Sequence, residues 1–199
     1  MSGALGAGSG DGDGRDGRGE LLARQTRFEG PVFRLDADDV RFPNGTTGHL
    51  DIVRHPGASA IIPFLSDPRG ADPQVLLIRQ FRWAANDVLY EIPAGRLNPG
   101  ETPLECAARE VREETGCAAG RLEFLYTVYT TPGFTDETLH LYLATDLVAA
   151  TTDGKDADEF IEVERVTLSQ ALEMIRTGAI KDMKTMAALL YVAGYIAGR

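Results

Sequence analysis

Cysteine is almost missing from this chain: among 199 residues only Cys106 and Cys117 occur. They stand roughly 16 Å apart along a helix axis at 1.5 Å per residue, too far to bridge each other. A disulfide framework is therefore excluded, and the chain reads as cytoplasmic. Positive charge is also scarce. Twenty Lys and Arg face thirty Asp and Glu, a formal net charge of -10 at pH 7, so no basic field exists to hold nucleic acid or an anionic membrane. Long apolar runs are missing too. The longest, from 186 to 198, is too short and too interrupted to span a bilayer. The three histidines, His49, His55 and His140, lack metal-ligand spacing and receive no role.

What is present is ordinary globular material with 43% hydrophobic residues, enough for one domain with a sizeable core and a small extra subdomain. The first twenty residues hold eight glycines and almost no bulky apolar groups. They cannot offset the entropy of ordering, so residues 1–24 are expected to be a disordered tail. With no apolar core and no cationic start, that tail is not a signal peptide. Strand signals follow at 32–35 and 49–54 with Asn44-Gly45 as a turn between them, then at 58–65, 74–81, 88–92, 122–130, 138–146 and 160–167. Helical patterns cover 169–176, ended by Gly178, and 181–197. Strands punctuated by separate helices predict a mixed sheet with helices on its faces.

The most informative stretch is 95–117, GRLNPGETPLECAAREVREETGC. Thr102 can cap a helix, Pro103 suits its first position, Glu105 completes a capping box, and Gly116 supplies the left-handed stop. The spacing predicts a helix over 103–115 with Leu104, Ala107, Ala108 and Val111 as its apolar stripe. Glu110, Glu113 and Glu114 crowd one strip beside it. Like charges at that spacing repel by roughly 0.2 to 0.5 kcal/mol per exposed pair. A hard divalent cation relieves this well, since Mg2+ takes carboxylate and phosphate oxygens, and Arg109 can pin one carboxylate. The bland alternative is a solvated acidic face with i, i+4 partners such as Arg109 and Glu113. The fixed glycines, the cap and the core stripe favour the first reading.

The pattern Gly95, five residues, Glu101, seven residues, Arg109-Glu110-Val111, one residue, Glu113-Glu114, one residue, Gly116 resembles the Nudix box. Only Cys117 departs from it, standing where a larger aliphatic residue is usual. Three flanking pieces are similar to the ADP-ribose pyrophosphatase subgroup: IRQFRWAANDVLYEIPAG at 78–95, TTPGFTDE with Pro132 sixteen residues past Gly116, and IKDMKTMAALL at 180–190. The likeness covers most of residues 27–192.

This resemblance implies an α/β/α sandwich with a mixed sheet, an N-terminal strand subdomain at 25–56 that dimerises, and a hydrolase domain at 57–199. It implies Mg2+, with Mn2+ as a substitute, held by Glu110, Glu113, Glu114 and the carbonyl of Ala94. Arg109 and Glu113 support catalysis, and Glu101 holds the loop by pairing with Arg109 or nearby N–H groups. Glu159 is the best match for a general base, with Asp158 and Asp156 as alternatives. Arg82 and Arg54 are assigned to the nucleotide and its phosphates, Arg54 reaching the nucleotide from the partner subunit. Glu91 is assigned to a ribose hydroxyl or to capping the loop. Gly133 and Phe134 line the substrate site, and Phe33 is a possible ring for stacking on a base. The implied reaction is cleavage of ADP-ribose to AMP and ribose 5-phosphate. Alternatives are another nucleoside diphosphate sugar such as GDP-mannose, or a non-catalytic nucleotide-sugar sensor. The expected partners are that small molecule and a second copy of the chain, with no nucleic acid and no membrane.

Overall fold

The computed structural model describes residues 17–151 and 161–198, and the chain divides between Val53 and Arg54 into two compact units. In the first unit β1 (Glu20–Glu29), β2 (Arg34–Arg41) and β3 (Thr47–Arg54) form a sheet in that order. Asn44-Gly45 makes the expected turn: Gly45 sits at φ 87°, and the Asn44 side chain accepts from Thr46 N–H at 3.0 Å. Strand β1 starts inside the segment expected as tail, which corrects that boundary. All ten of its residues are exposed, so no hydrophobic alternation betrays it. The backbone ladder and cross-strand ion pairs hold it instead. Arg24 lies opposite Asp38 and grips it at 2.7 and 2.8 Å, while Thr26, opposite Asp36, donates to it at 2.9 Å. Asp36 and Asp38 are buried despite their charge, and these bonds offset the loss of water.

In the second unit β4 (Ala58–Pro63) is buried along its whole length. It runs parallel to β9 (Thr138–Ala149), which pairs antiparallel with β8 (Cys117–Tyr129). The short β7 (Ala94–Arg96) joins the other edge of β4, giving a mixed sheet in the order β7-β4-β9-β8. A second, antiparallel sheet has the order β10-β5-β6, from Ile161–Thr167, Gln74–Arg82 and Asp87–Glu91. Alternation along β4 and β9 sends their side chains to two faces. Ala60, Ile62, Leu139, Leu141 and Leu143 join Val75 and Leu77 of β5 with residues of α2 (Leu168–Thr177) and α3 (Met183–Tyr191) in the larger core. Ile61, Tyr142 and Ala144 pack with Ala107 and Val111 of α1 (Pro103–Thr115) in the smaller one. The mixed sheet is thus covered on both faces, as the α/β/α expectation required. Each fully buried Ile or Leu contributes about 1.5 to 3 kcal/mol.

The terminal helical stretch expected over 181–197 is present over 183–196 but changes type along its length. Asp182 caps it, accepting from Thr185 N–H at 2.9 Å, and after Tyr191 the chain widens into one π-helical turn at Val192–Ile196. Among the described residues no helix is long and apolar enough to cross a membrane.

Helix α1 carries a complete capping box. Thr102 N–H donates to Glu105 Oε2 at 2.8 Å, and Glu105 N–H donates to Thr102 Oγ1 at 3.3 Å. Thr102→Ala should destabilise the protein by about 1 kcal/mol, read as a lower urea midpoint with an unchanged slope. An unchanged midpoint would show that packing alone sets the start of α1.

Candidate active site

The buried face of α1 consists of Cys106, Ala107, Glu110, Val111 and Glu114. This corrects the expected stripe, because Leu104 and Ala108 are exposed. Residues 107, 110, 111 and 114 recur at helical three- and four-residue spacing, so two carboxylates lie within the inward face rather than beside it. Glu110 is 8% exposed and Glu114 3%. Burying ionised carboxylates without compensation is costly, so their surroundings matter.

The loop entering α1 supplies part of that compensation. Ala94 N–H donates to Glu114 Oε2 at 2.8 Å. Gly95 lies so close to Glu110 that a Cβ added there would sit 1.7 Å from Oε1. A side chain there would displace the Glu110 carboxylate, which accounts for the first glycine of the motif. The Cys106 thiol donates to the Gly95 carbonyl at 3.4 Å, and burial, with the Glu110 charge, pushes its pKa up to about 11. It stays a neutral donor near pH 7.

Arg109 connects these parts. It grips Glu101 with two bonds of 2.8 and 2.9 Å, bonds Glu110, reaches Glu113 at 3.2 Å and donates to the Arg96 carbonyl at 3.1 Å. Glu101 also accepts from Asn98 N–H at 2.8 Å. The expected Glu101 pairing is therefore present on both counts. The hydrogen bonds from Arg109 hold the Glu101 carboxyl below its ordinary pKa, and those bonds raise Arg109 in turn. A depressed carboxyl stabilises the fold above its unfolded pKa, and that stabilisation is lost as pH falls through the folded value.

A second charged group adjoins the first. Arg82 on β5 holds Glu91 on β6 through two bonds of 2.8 Å, and Lys184 on α3 bonds the same carboxylate. Glu91 is 1% exposed. Burial pushes its pKa up, but the Arg82 hydrogen bonds and the Lys184 charge outweigh that and leave it below the ordinary carboxylate range. Glu91, expected at a ribose hydroxyl or as a cap of the loop, here has both oxygens engaged by cations. Arg82 is raised chiefly by the Glu91 bonds, and the charges of Glu114 and Asp182 add to it. That electrostatic tie links Arg82 to the acids of α1. Lys184 escaped the sequence reading because it lies 93 residues from Glu91 and has no local signature.

The other expected positions are distributed as follows. Arg54 bonds Asp136 at 3.0 Å, and His55 N–H donates to the same carboxylate at 2.9 Å. Gly133 has open space around it, and Phe134, half exposed, belongs to the same 130–137 loop. Ala58 pairs with both Leu139 and Arg96, so that loop and the end of β7 share one end of the mixed sheet. Phe33, in the N-terminal unit, packs near Phe28 with ring centroids 5.7 Å apart. Glu159, Asp158 and Asp156 lie outside the described residues.

Among the described residues, no three His, Cys, Asp or Glu side chains converge closely enough to chelate an ion with their present rotamers. The donor chemistry nevertheless suits a hard cation. Glu110, Glu113 and Glu114 offer carboxylate oxygens only, the bare Gly95 lets the Glu110 carboxylate lie against the loop backbone, and a guanidinium is the positive charge shared by Glu110 and Glu113.

Comparison with known proteins agrees with this geometry. Residues 55–189 match the NUDIX domain model. The chain is 40% identical over 166 residues to the methanol dehydrogenase activator of Bacillus methanolicus, covering 83% of this chain and 87% of that protein. It is 38% identical over 174 residues to the ADP-ribose pyrophosphatase of Bacillus subtilis (strain 168), covering 87% and 91%. In three dimensions it superposes on an ADP compounds hydrolase with a TM-score of 0.76 at 22% identity, covering 91% of this chain and 95% of the other, a likeness of fold. With the box filled, its acids turned inward against Ala94 and Gly95, and the domain model spanning most of the second unit, this chain belongs to the Nudix family.

Proposed function

We propose that the protein hydrolyses the pyrophosphate bond of ADP-ribose, giving AMP and ribose 5-phosphate, with Mg2+ as its cofactor and Mn2+ as a substitute. The observation that carries the reading is the placement of Glu110 and Glu114 on the buried face of α1, against a loop whose bare Gly95 admits the Glu110 carboxylate and whose Ala94 N–H donates to Glu114. The similarity to an ADP-ribose pyrophosphatase over most of both chains supports the choice of substrate.

Glu110, Glu113 and Glu114, with the Ala94 carbonyl, would hold the cation. The chemistry such a cation would supply is neutralisation of phosphate oxygens and a lowered pKa for water near neutral pH. Arg109 orients Glu110 and Glu113 while anchored to Glu101. Arg82 binds the diphosphate, to whose oxygens a guanidinium is fitted. Glu159 accepts the proton of the attacking water, and the P–O–P bond breaks as the new P–O bond forms. Arg54, Gly133 and Phe134 contact the nucleotide. The exposed apolar residues Leu21, Phe28, Phe33 and Leu50 of the N-terminal unit support pairing with a second copy of the chain, and the free thiols Cys106 and Cys117 support a reducing, cytoplasmic setting.

A panel of ADP-ribose, GDP-mannose and other nucleoside diphosphate sugars, assayed with magnesium and with EDTA, tests the whole proposal. ADP-ribose should be cleaved fastest, and only with metal. Preference for GDP-mannose would replace the substrate, and an inert panel would favour a sensor. Glu114→Gln keeps an acceptor for Ala94 N–H and should lower turnover by roughly a hundredfold or more at near wild-type melting; normal turnover would remove Glu114 from the ligand set. Glu159→Gln should lower kcat with little change in KM, whereas an unchanged kcat would move the base to Asp158 or Asp156. Sedimentation equilibrium should report a dimer at micromolar concentration, and a monomer there would rule out the pairing.

A further inference from the structure

The geometry points to Lys184 as a positioning residue that frees Arg82 for substrate by taking over the buried charge of Glu91. The inference rests on the proposed function in that it assigns Arg82 to the diphosphate.

Glu91 is 1% exposed and carries two cations where one would satisfy it. Arg82 uses two of its N–H groups on this carboxylate, both at 2.8 Å. A guanidinium so engaged is not available to a phosphate in the same orientation. Releasing it would leave a carboxylate buried without a counter-charge, a strongly unfavourable state. Lys184 removes that obstacle. Its ammonium already bonds Glu91 Oε2, and with Arg82 turned away Glu91 keeps a partner.

Four further observations fit this role. Lys184 stands in the first turn of α3, where a cation runs against the helix dipole, so its position serves something other than the helix. Asp182, the cap of that helix, holds the ammonium from the other side at 3.1 Å. The α3 start is itself tied to the site: Ile92 N–H donates to Thr185 Oγ1 at 2.8 Å, one residue beyond Glu91 and two before Ala94. The Lys184 side chain is 17% exposed, whereas that of Arg82 is 42% exposed. The less exposed cation is thus the fixed partner, and the more exposed one can turn outward.

Two measurements on the full-length protein test this. In the first, Lys184→Met should raise KM for ADP-ribose, and the Kd for its non-hydrolysable α,β-methylene analogue measured calorimetrically, by roughly tenfold or more. Its kcat should stay within about threefold, and Lys184→Arg should restore most of the binding. A purely structural lysine would change melting and leave KM alone. Wild-type KM and Kd in Lys184→Met would overturn the proposal, as would loss of kcat alone. In the second, independent of any substrate, Arg82→Met should lower the urea midpoint slightly in the wild-type background and far more in Lys184→Met. Additive shifts would overturn the sharing of Glu91. So would a Lys184→Met protein that fails to fold, because Arg82 alone should satisfy Glu91 when no ligand is bound. If the wild-type protein binds no nucleoside diphosphate sugar, the proposed function fails while this cycle still decides the role of Lys184.

Discussion

One guanidinium holds the site together. Arg109 spreads its charge over Glu101, Glu110 and Glu113 and donates to the Arg96 carbonyl, tying the acids of α1 to the loop that precedes it. Without such a clamp, carboxylates on the inward face of a helix would repel one another and pull toward water. Arginine suits this task because its planar fork presents several donors in fixed directions and does not lose its charge. The clamp is asymmetric: it fixes Glu101 with two bonds, and Glu110 and Glu113 share what remains.

The scaffold makes this tolerable. Strand β4 is buried on both faces, one packing against the larger core and the other, through Ile61, against Ala107 and Val111 of α1. The helix is therefore anchored by apolar contacts one turn away from its charges. The same backbone brings β7 to the edge of β4, with Gly95 opposite Ser59, whose hydroxyl donates to the Pro103 carbonyl at 2.7 Å. Loop, strand and helix start are thereby fixed to one another before any ligand arrives, a preorganised arrangement of the kind that electrostatic catalysis requires.

A second buried carboxylate follows the same logic with a different solution. Glu91 is closer to full burial than Glu110 and Glu114, and it is met by two cations from two separate elements. The N-terminal sheet repeats the theme, with Asp36 and Asp38 buried against Arg24 and Arg34. Arg24, Arg34, Arg82 and Arg109 thus each meet a carboxylate that the fold hides.

Sequence alone determined the features whose causes are local. Thr102, Pro103, Glu105 and Gly116 bounded α1 correctly because capping involves neighbours along the chain, and Asn44-Gly45 marked its turn for the same reason. The apolar runs of β4 and β5 were legible as buried strands. Tertiary structure decided what depends on distant partners. Strand β1 has no buried residue to announce it and exists through pairing with β2. The inward face of α1 turned out to include Glu110 and Glu114 instead of Leu104 and Ala108, because the sheet and the loop beneath the helix fix which side is covered. Glu91 met Lys184 across 93 residues. Periodicity along a chain reports which residues share a face; only the packing of other elements on that face determines which charges are buried, and against what.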